Sequence, residues 1–204
     1  MDAIERLAAL FEKFPGIGPR QAGRFVHYLL RSSPALRQEL AKAIAGLTSS
    51  VRQCAECRRY HDGESALCNR CSSKTRDRGT LMIVATDADA DAIERSHTYT
   101  GTYFILGGTV ALGNEKNPRI READLVKCMQ KRANELREVI LAFPANVEGD
   151  TTAARVRDII EPIVVKGDPL HIVAVSTLGR GLSTGAELEY ADPDTIKNAL
   201  KNRA

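Results

Sequence analysis

Four cysteines arranged in two pairs are the residues of this 204-residue chain whose spacing most directly predicts chemistry. Cys54-Ala-Glu-Cys57 and Cys68-Asn-Arg-Cys71 are C-x-x-C pairs separated by ten residues. A tight turn brings thiols at i and i+3 together, and four thiolates complete a tetrahedral zinc site with no open position. Two disulfides are the alternative, but nothing else in the sequence indicates an oxidising compartment. We therefore predict a structural Zn²⁺ ion without a catalytic role.

A helix near the N-terminus has a basic face. The segment Phe14-Pro15-Gly16-Ile17-Gly18-Pro19 predicts a tight glycine turn, and Pro19 suits the first position of a helix over 19–32. At about 100° per residue, one face of this helix carries Arg20, Arg24, His27 and Arg31, and the opposite face carries Ala22, Phe25, Val26, Leu29 and Leu30. No acidic residue occurs between Lys13 and Gln38.

This pattern looks like a helix-hairpin-helix motif. We expect the backbone N–H groups around Gly16 and Gly18 to face a phosphate. We expect Arg20, Arg24 and Arg31 to extend the contact along a nucleic-acid backbone, which positions a protein without reading base sequence. The alternative is a plain helical hairpin with a solvated charged face. We predict sequence-independent binding of single- and double-stranded DNA.

From residue 79 the apolar pattern predicts an α/β domain. Continuous apolar runs predict buried strands at 80–85, 103–106, 139–143 and 171–175. Helical patterns lie between them, near 88–96, 121–136 and 151–162. Alternating strands and helices predict a small parallel sheet with helices on both faces.

Acidic residues follow two of these strands, at the edge where parallel sheets form their sites. Asp87, Asp89 and Asp91 follow the first strand, and their alternate spacing favours a solvated helix face. Glu148 and Asp150 follow the third strand and open a helix. Two interpretations stay open for this second pair: oxygen ligands for Mg²⁺, or carboxylates favoured by the helix macrodipole.

The remaining segments predict helices and a polar tail. Amphipathic helices are predicted over 3–14 and 34–50, the second with a core face of Leu36, Leu40, Ile44 and Leu47. A polar loop covers 107–120, and a glycine-rich tail over 179–190 precedes a final helix that ends near residue 202. The tail lacks the Gly-Lys-Ser/Thr of a phosphate-binding P-loop, which favours an extended packing arm.

Charge divides the chain into a basic front and an acidic back. Residues 1–78 contain 14 Lys and Arg against 8 Asp and Glu, a net charge of +6, whereas residues 79–204 have a net charge of −3. The front, including the arginines around the cysteines, is the predicted polyanion surface. No apolar run reaches the roughly 18 residues of a membrane span, and the N-terminus is not a signal peptide. The cytoplasm is the expected location.

The order of these parts resembles the bacterial RecR family of recombination mediators. The resemblance covers nearly the whole chain and depends on specific segments. They are Phe14-Pro15-Gly16-Ile17-Gly18-Pro19, the four cysteines, Ala92-Ile93-Glu94-Arg95, Tyr99 to Gly108, Val147-Glu148-Gly149, and Gly185 to Asp192 around Glu-Leu-Glu-Tyr-Ala-Asp. It implies a Toprim-type α/β domain and a ring-like homo-oligomer, a dimer or a tetramer. It also implies action with RecO and RecF to help load RecA on single-stranded DNA.

The resemblance also assigns roles to residues. It puts the DNA contacts on Arg20 and Arg24, the zinc ligands on the four cysteines, and an acidic Toprim pair on Glu148 and Asp150. The family usually has glutamates directly after the first strand of this domain, where this chain reads Ala85-Thr86 and Asp87 is out of register. Since Toprim enzymes use that glutamate as an acid or base, its absence weakens a catalytic reading.

The sequence therefore predicts an α+β protein of four parts. They are a helix-hairpin-helix domain over 1–53, a four-cysteine zinc finger over 54–78, a Toprim domain over 79–176, and a C-terminal tail and helix over 177–204. The predicted function is a DNA-binding recombination mediator that is not an enzyme. The alternative is a Toprim-type metal-dependent nuclease or nucleotidyl transferase, in which Glu148, Asp150 and Asp87 would bind Mg²⁺ or a partner.

Overall fold

A computed structural model describes residues 1–111, 120–165, 172–179, 181–182, 185 and 187–201. The chain divides into two compact units, Met1–Val51 and Arg52–Ala204. Most of the predicted loop over 107–120, the first residue of the fourth predicted strand and much of the glycine-rich tail lie outside the described residues. No helix in the described ranges is both long enough and apolar enough to cross a membrane.

The first unit consists of three helices, α1 (Ala3–Phe11), α2 (Pro19–Arg31) and α3 (Pro34–Ser50). Each begins at a sequence signal for a helix start. Asp2 and Glu5 form a capping box at α1, and the Ser33 side chain accepts a hydrogen bond from the Leu36 N–H at α3. Proline at the first position starts both α2 and α3.

The apolar face of α3 is exposed, which corrects the prediction that it is a core face. Leu36, Leu40, Ile44 and Leu47 are 38 to 59% exposed, and α3 has no buried residue. Only Ala22 and Val26 are buried in this unit. Three short helices supply too few packing partners to cover every apolar face within one chain.

The second unit begins with a small module around the cysteines. Strands β1 (Arg52–Gln53) and β2 (Tyr60–His61) form an antiparallel pair, and the short helix α4 (Asn69–Ser72) follows. We call residues 54–78 the four-cysteine module. The α/β domain follows with β3 (Asp77–Val84), α5 (Asp87–Arg95), β4 (Gly101–Ile105), α6 (Glu122–Arg132), β5 (Glu138–Ala142), α7 (Val147–Val165) and β6 (Ala174–Thr177). A 3-10 turn (Leu188–Tyr190) and α8 (Pro193–Lys201) complete the described chain.

The four longer strands form a parallel sheet in the order β4-β3-β5-β6. The chain moves from β3 to one side and from β5 to the other, so the topological switch lies between these two adjacent strands. Val84 pairs with Ala142 at their carboxyl ends. A switch point of this kind is where open α/β sheets form their sites. The predicted mixed fold with a small parallel sheet is confirmed.

Both faces of the sheet are buried. On one face, Leu81, Ile83 and Phe104 pack with Leu125 of α6 and Ile160 of α7. On the other face, Met82, Val84, Tyr103 and Ile105 pack with Ala90 of α5. Alternate residues of a strand point to opposite faces, so burial of both faces explains the continuous apolar runs in the sequence.

Candidate metal centre and nucleic-acid interface

The four predicted cysteine ligands form one buried cluster. The Sγ atoms of Cys54, Cys57, Cys68 and Cys71 all lie within 4.8 Å of one another, and each residue is at most 8% exposed. The Cys57 and Cys68 sulfurs are 3.6 Å apart. Tetrahedral zinc with Zn–S bonds of about 2.3 Å separates its sulfurs by about 3.8 Å, so the spacing fits a metal ion of this kind.

The protonation of the cluster also favours a cation. Hydrogen bonds from the thiols of Cys57, Cys68 and Cys71 hold the pKa of Cys54 far below its usual value. The pKa values of Cys57 and Cys71 are raised, first through their hydrogen bonds to Cys54 and also by burial. A divalent cation replaces these protons and lets all four sulfurs ionise together. Four free cysteines correspond to the predicted metal site and not to two disulfides.

The local backbone holds this cluster against the sheet. The Cys54 N–H donates to the Arg59 carbonyl at 2.8 Å, and the Arg58 N–H donates to the Cys54 carbonyl at 3.1 Å. Arg58 itself has a positive φ of 63°. The Ile105 N–H of edge strand β4 donates to the Cys57 carbonyl at 2.8 Å. The four-cysteine module is therefore part of the same compact unit as the sheet.

Arginines of the four-cysteine module pair with acids of α5. Arg59 and Arg70 both donate to Asp91 Oδ1, at 2.9 and 2.7 Å. Arg76 forms a two-point ion pair with Glu94. These three side chains are only 16 to 23% exposed. The prediction that the arginines around the cysteines are a polyanion surface is therefore wrong for Arg59, Arg70 and Arg76, because the carboxylates of α5 already neutralise them.

The aspartates after β3 also differ from the solvated face that was predicted. Asp87 accepts a hydrogen bond from the Tyr60 N–H at 3.1 Å and lies 4.0 Å from Arg59 Nε. Asp89 accepts from Thr86, whose hydroxyl in turn caps the first turn of α5. Thr86 is therefore the N-cap of α5.

Glu148 and Asp150 lie in the first turn of α7, beside the switch point. Both are exposed. Glu148 Oε2 accepts a hydrogen bond from the Thr109 hydroxyl at 3.4 Å. Between them, Gly149 passes so close to Pro144 that an added Cβ would lie 1.9 Å from the Pro144 carbonyl oxygen. Only glycine fits at this approach, which accounts for the Val-Glu-Gly segment in the sequence.

The predicted DNA-contacting residues lie on one open surface of the first unit. Arg20, Arg24 and Arg31 are exposed, whereas Ala22 and Val26 on the opposite side of α2 are buried. Gly16 has a positive φ of 79°, and an added Cβ at Gly16 or Gly18 would have no atom within 4 Å. No side chain caps α2 at Gly18. The first-turn amides are therefore available for an anion.

One cationic residue of the second unit is buried without a distinctive sequence pattern. Arg132 at the end of α6 is only 7% exposed, although it is charged. Its position in an amphipathic helix is compatible with burial, but the pattern does not distinguish it from the exposed Lys131 next to it.

The fold and sites define a class of protein: a helical hairpin with an open basic face, a four-cysteine metal centre and a Toprim-type sheet. The Toprim domain family matches residues 79–169. The RecR helix-hairpin-helix family matches residues 4–47, and the RecR C-terminal family matches residues 181–204.

Full-length relatives agree with these matches. The chain is 37% identical to the recombination protein RecR of Synechococcus sp. over 95% of this chain and 96% of the relative. It is 34% identical to the protein of the same name from Bifidobacterium longum subsp. infantis and 35% identical to that from Cereibacter sphaeroides, each over 98% of this chain and 95% of the relative. The chain belongs to the RecR family.

Proposed function

We propose that this chain is a DNA-binding recombination mediator that catalyses no reaction of its own. In this role it acts in the cytoplasm with RecO and RecF to help load RecA on single-stranded DNA. The observation that carries the proposal is the uncapped N-terminus of α2 with Arg20 and Arg24 exposed beside it. Because phosphates are the same in every sequence, such contacts bind DNA without base specificity.

A salt titration of DNA binding tests this surface. In Arg20→Ala/Arg24→Ala, we expect weaker binding to single- and double-stranded oligonucleotides. We also expect the slope of log K against log salt concentration to flatten by about 1.4 to 1.8, because each lost phosphate contact removes about 0.7 to 0.9. Arg6→Ala/Lys42→Ala removes two exposed cations from α1 and α3 and is the matched control. Wild-type affinity and slope in the α2 variant would reject the proposal.

We propose that the metal of the four-cysteine cluster is Zn²⁺ with a structural role. Four buried thiols leave no open coordination position for a substrate or water, which is the arrangement of structural zinc sites. The cysteines would hold the ion. The ion would in turn cross-link a module that has few apolar residues to stabilise it.

We further propose that the chain works as a homo-oligomer, a dimer or a tetramer. Support comes from the uncovered apolar face of α3 in the first unit. An exposed apolar surface of this kind is typical of a protein–protein contact. A second copy of the chain is the partner that the resemblance implies.

A metal-dependent nuclease or nucleotidyl transferase is the second candidate function, favoured by the exposed carboxylates of Glu148 and Asp150 beside the switch point. Carboxylate oxygens are suitable Mg²⁺ ligands. Against it, Thr86 caps a helix and Asp87 is engaged by the four-cysteine module. We expect no cleavage of DNA with Mg²⁺ or Mn²⁺. Cleavage that disappears in Glu148→Ala would instead establish this second function.

A further inference from the structure

A small cavity of about 120 Å³ lies between the four-cysteine module and α6. Five cationic side chains line it: Arg58, Arg78, Lys127, Lys131 and Arg132. The volume exceeds the roughly 30 Å³ of one water. It is far smaller than the roughly 300–1,000 Å³ of pockets that enclose larger ligands. The size therefore suits a small ion or a single group of a larger molecule.

The carboxylates at this cavity neutralise only part of its charge. Asp124 pairs with Arg58 at 3.0 Å, and Arg78 lies 3.4 Å from Glu56 and 3.8 Å from Glu135. Within the part of the chain that the structure describes, no carboxylate lies within 4.0 Å of Lys127, Lys131 or Arg132. The cavity therefore carries an excess of positive charge.

Arg132 is the cation at this cavity whose burial is hardest to explain by its protein contacts. It is 7% exposed, and its Nη2 donates to two neutral oxygens, the Arg78 carbonyl at 2.6 Å and the Thr102 hydroxyl at 2.9 Å. Its Nε is buried without a hydrogen-bond partner among the described residues. Burying a charge without an opposite charge is unfavourable, and an anion in the cavity would offset that cost.

The helix arrangement explains why the cations converge. Lys127 and Cys128 follow Asp124 by three and four residues, and Lys131 follows them by four and three, so all four share one face of α6. Lys127 and Lys131 are exposed, which leaves their charges accessible from solvent. The C-terminal end of α6 favours basic residues through its dipole, but this does not explain Arg58 and Arg78, which come from other elements.

We propose that this cavity is an anion site that binds a phosphate group, separate from the hairpin surface of α2. The phosphate can belong to a nucleic-acid backbone or be a free ion, since the same cations recognise both. Only the nucleic-acid source depends on the proposed function, because the chain would then contact DNA through both of its units.

Titration with inorganic phosphate tests the site itself. The full-length, metal-loaded protein is titrated at constant ionic strength, and binding is followed by ³¹P line broadening. We expect saturable binding to wild type and at least tenfold weaker binding to Lys127→Ala/Lys131→Ala, whose exposed side chains are not needed for folding. Lys74→Ala/Lys197→Ala, which removes two exposed lysines of the same unit outside the cavity, should bind like wild type. No saturable binding to wild type, or equal binding to both variants, would overturn the proposal.

A DNA arm then identifies the source of the phosphate. If it is a nucleic-acid backbone, the slope of log K for DNA binding against log salt concentration should be flatter in Lys127→Ala/Lys131→Ala than in the lysine control, by about 1.4 to 1.8. Loss of phosphate binding with an unchanged slope would assign the site to a free phosphate. Since the phosphate titration contains no DNA, a failure of the α2 surface and a failure of this site are distinguishable.

Discussion

Glu94 shows how one side chain links two parts of the second unit. It accepts hydrogen bonds from Arg76 and from the Tyr103 hydroxyl, the latter at 2.8 Å, and lies 3.5 Å from Arg70 Nε. Burial alone would raise the pKa of Glu94, but the hydrogen bonds of Arg76 and Tyr103 and the charges of Arg76 and Arg70 lower it overall from its usual 4.5. The Ala-Ile-Glu-Arg segment therefore has a structural role, joining α5 to the four-cysteine module.

We expect Glu94→Gln to lower the free energy of unfolding at pH 7 by roughly 2 kcal/mol, because it leaves half-buried arginines without their carboxylate. A lowered pKa gives stability that is present above the unfolded-state value and is lost as the pH falls through the folded-state value. The difference between wild type and variant in urea unfolding should therefore shrink below pH 4.5.

The exposed Glu64 supplies the control for this measurement. Glu64→Gln should differ little from wild type at any pH. A Glu94→Gln protein whose loss of stability is the same at pH 7 and in acid would contradict the assigned ion pairs.

Among the elements, the four-cysteine module depends most on the predicted metal. Leu67 is the apolar residue that packs against the buried cysteines, and β2, the strand inside the module, has two residues. Such a segment has little apolar surface to bury, so metal coordination must supply much of its stability. The ion pairs to α5 then connect the ordered module to the α/β domain.

We expect Cys57→Ser to lose bound zinc and to destabilise the second unit, because loss of the Cys57 ligand loosens the segment whose backbone carbonyl accepts from the Ile105 N–H. Elemental analysis of the purified protein gives the zinc content, and limited proteolysis reports opening of the module. Cys128→Ser is the control, since Cys128 lies outside the cluster. Retention of a full zinc equivalent and wild-type stability by Cys57→Ser would contradict the assignment of Cys57 as a required ligand of a structural site.

At the scale of the whole molecule, the exposed apolar face of α3 is a surface that the packing of a single chain leaves uncovered. Isolated exposed apolar residues are common in proteins, but four of them at helical spacing on one face form a continuous patch. Water contact with this patch is unfavourable. Association between copies of the chain would remove it from solvent.

Light scattering tests this expectation. Wild type should have a mass that is a multiple of the 22.3 kDa chain, and Leu40→Glu/Ile44→Glu should shift the mass towards one chain, because charges on the patch oppose its burial. Gln38→Glu/Lys42→Glu changes exposed polar positions of the same helix and should keep the wild-type mass. A wild-type mass of one chain at every concentration would refute the proposed oligomer.

The sequence by itself determined the features that depend on neighbouring residues. Cysteine spacing predicted the thiol cluster, because a C-x-x-C turn is local. Apolar runs predicted the first three strands of the sheet to within a few residues, whereas the fourth predicted strand, 171–175, overlaps β6 (Ala174–Thr177) only at residues 174 and 175. Helical spacing, with Pro19 as the first residue of α2, predicted the helix starts of the first unit.

Only the tertiary structure decided which charges meet and which apolar faces are covered. Arg59 and Asp91 are 32 residues apart in sequence. No local pattern could therefore show that Arg59 pairs with α5 and is not part of the polyanion surface. The burial of Arg132 and the exposure of the α3 face likewise depend on what packs against each helix. Periodicity reports which residues share a face, whereas neighbours distant in sequence determine what that face contacts.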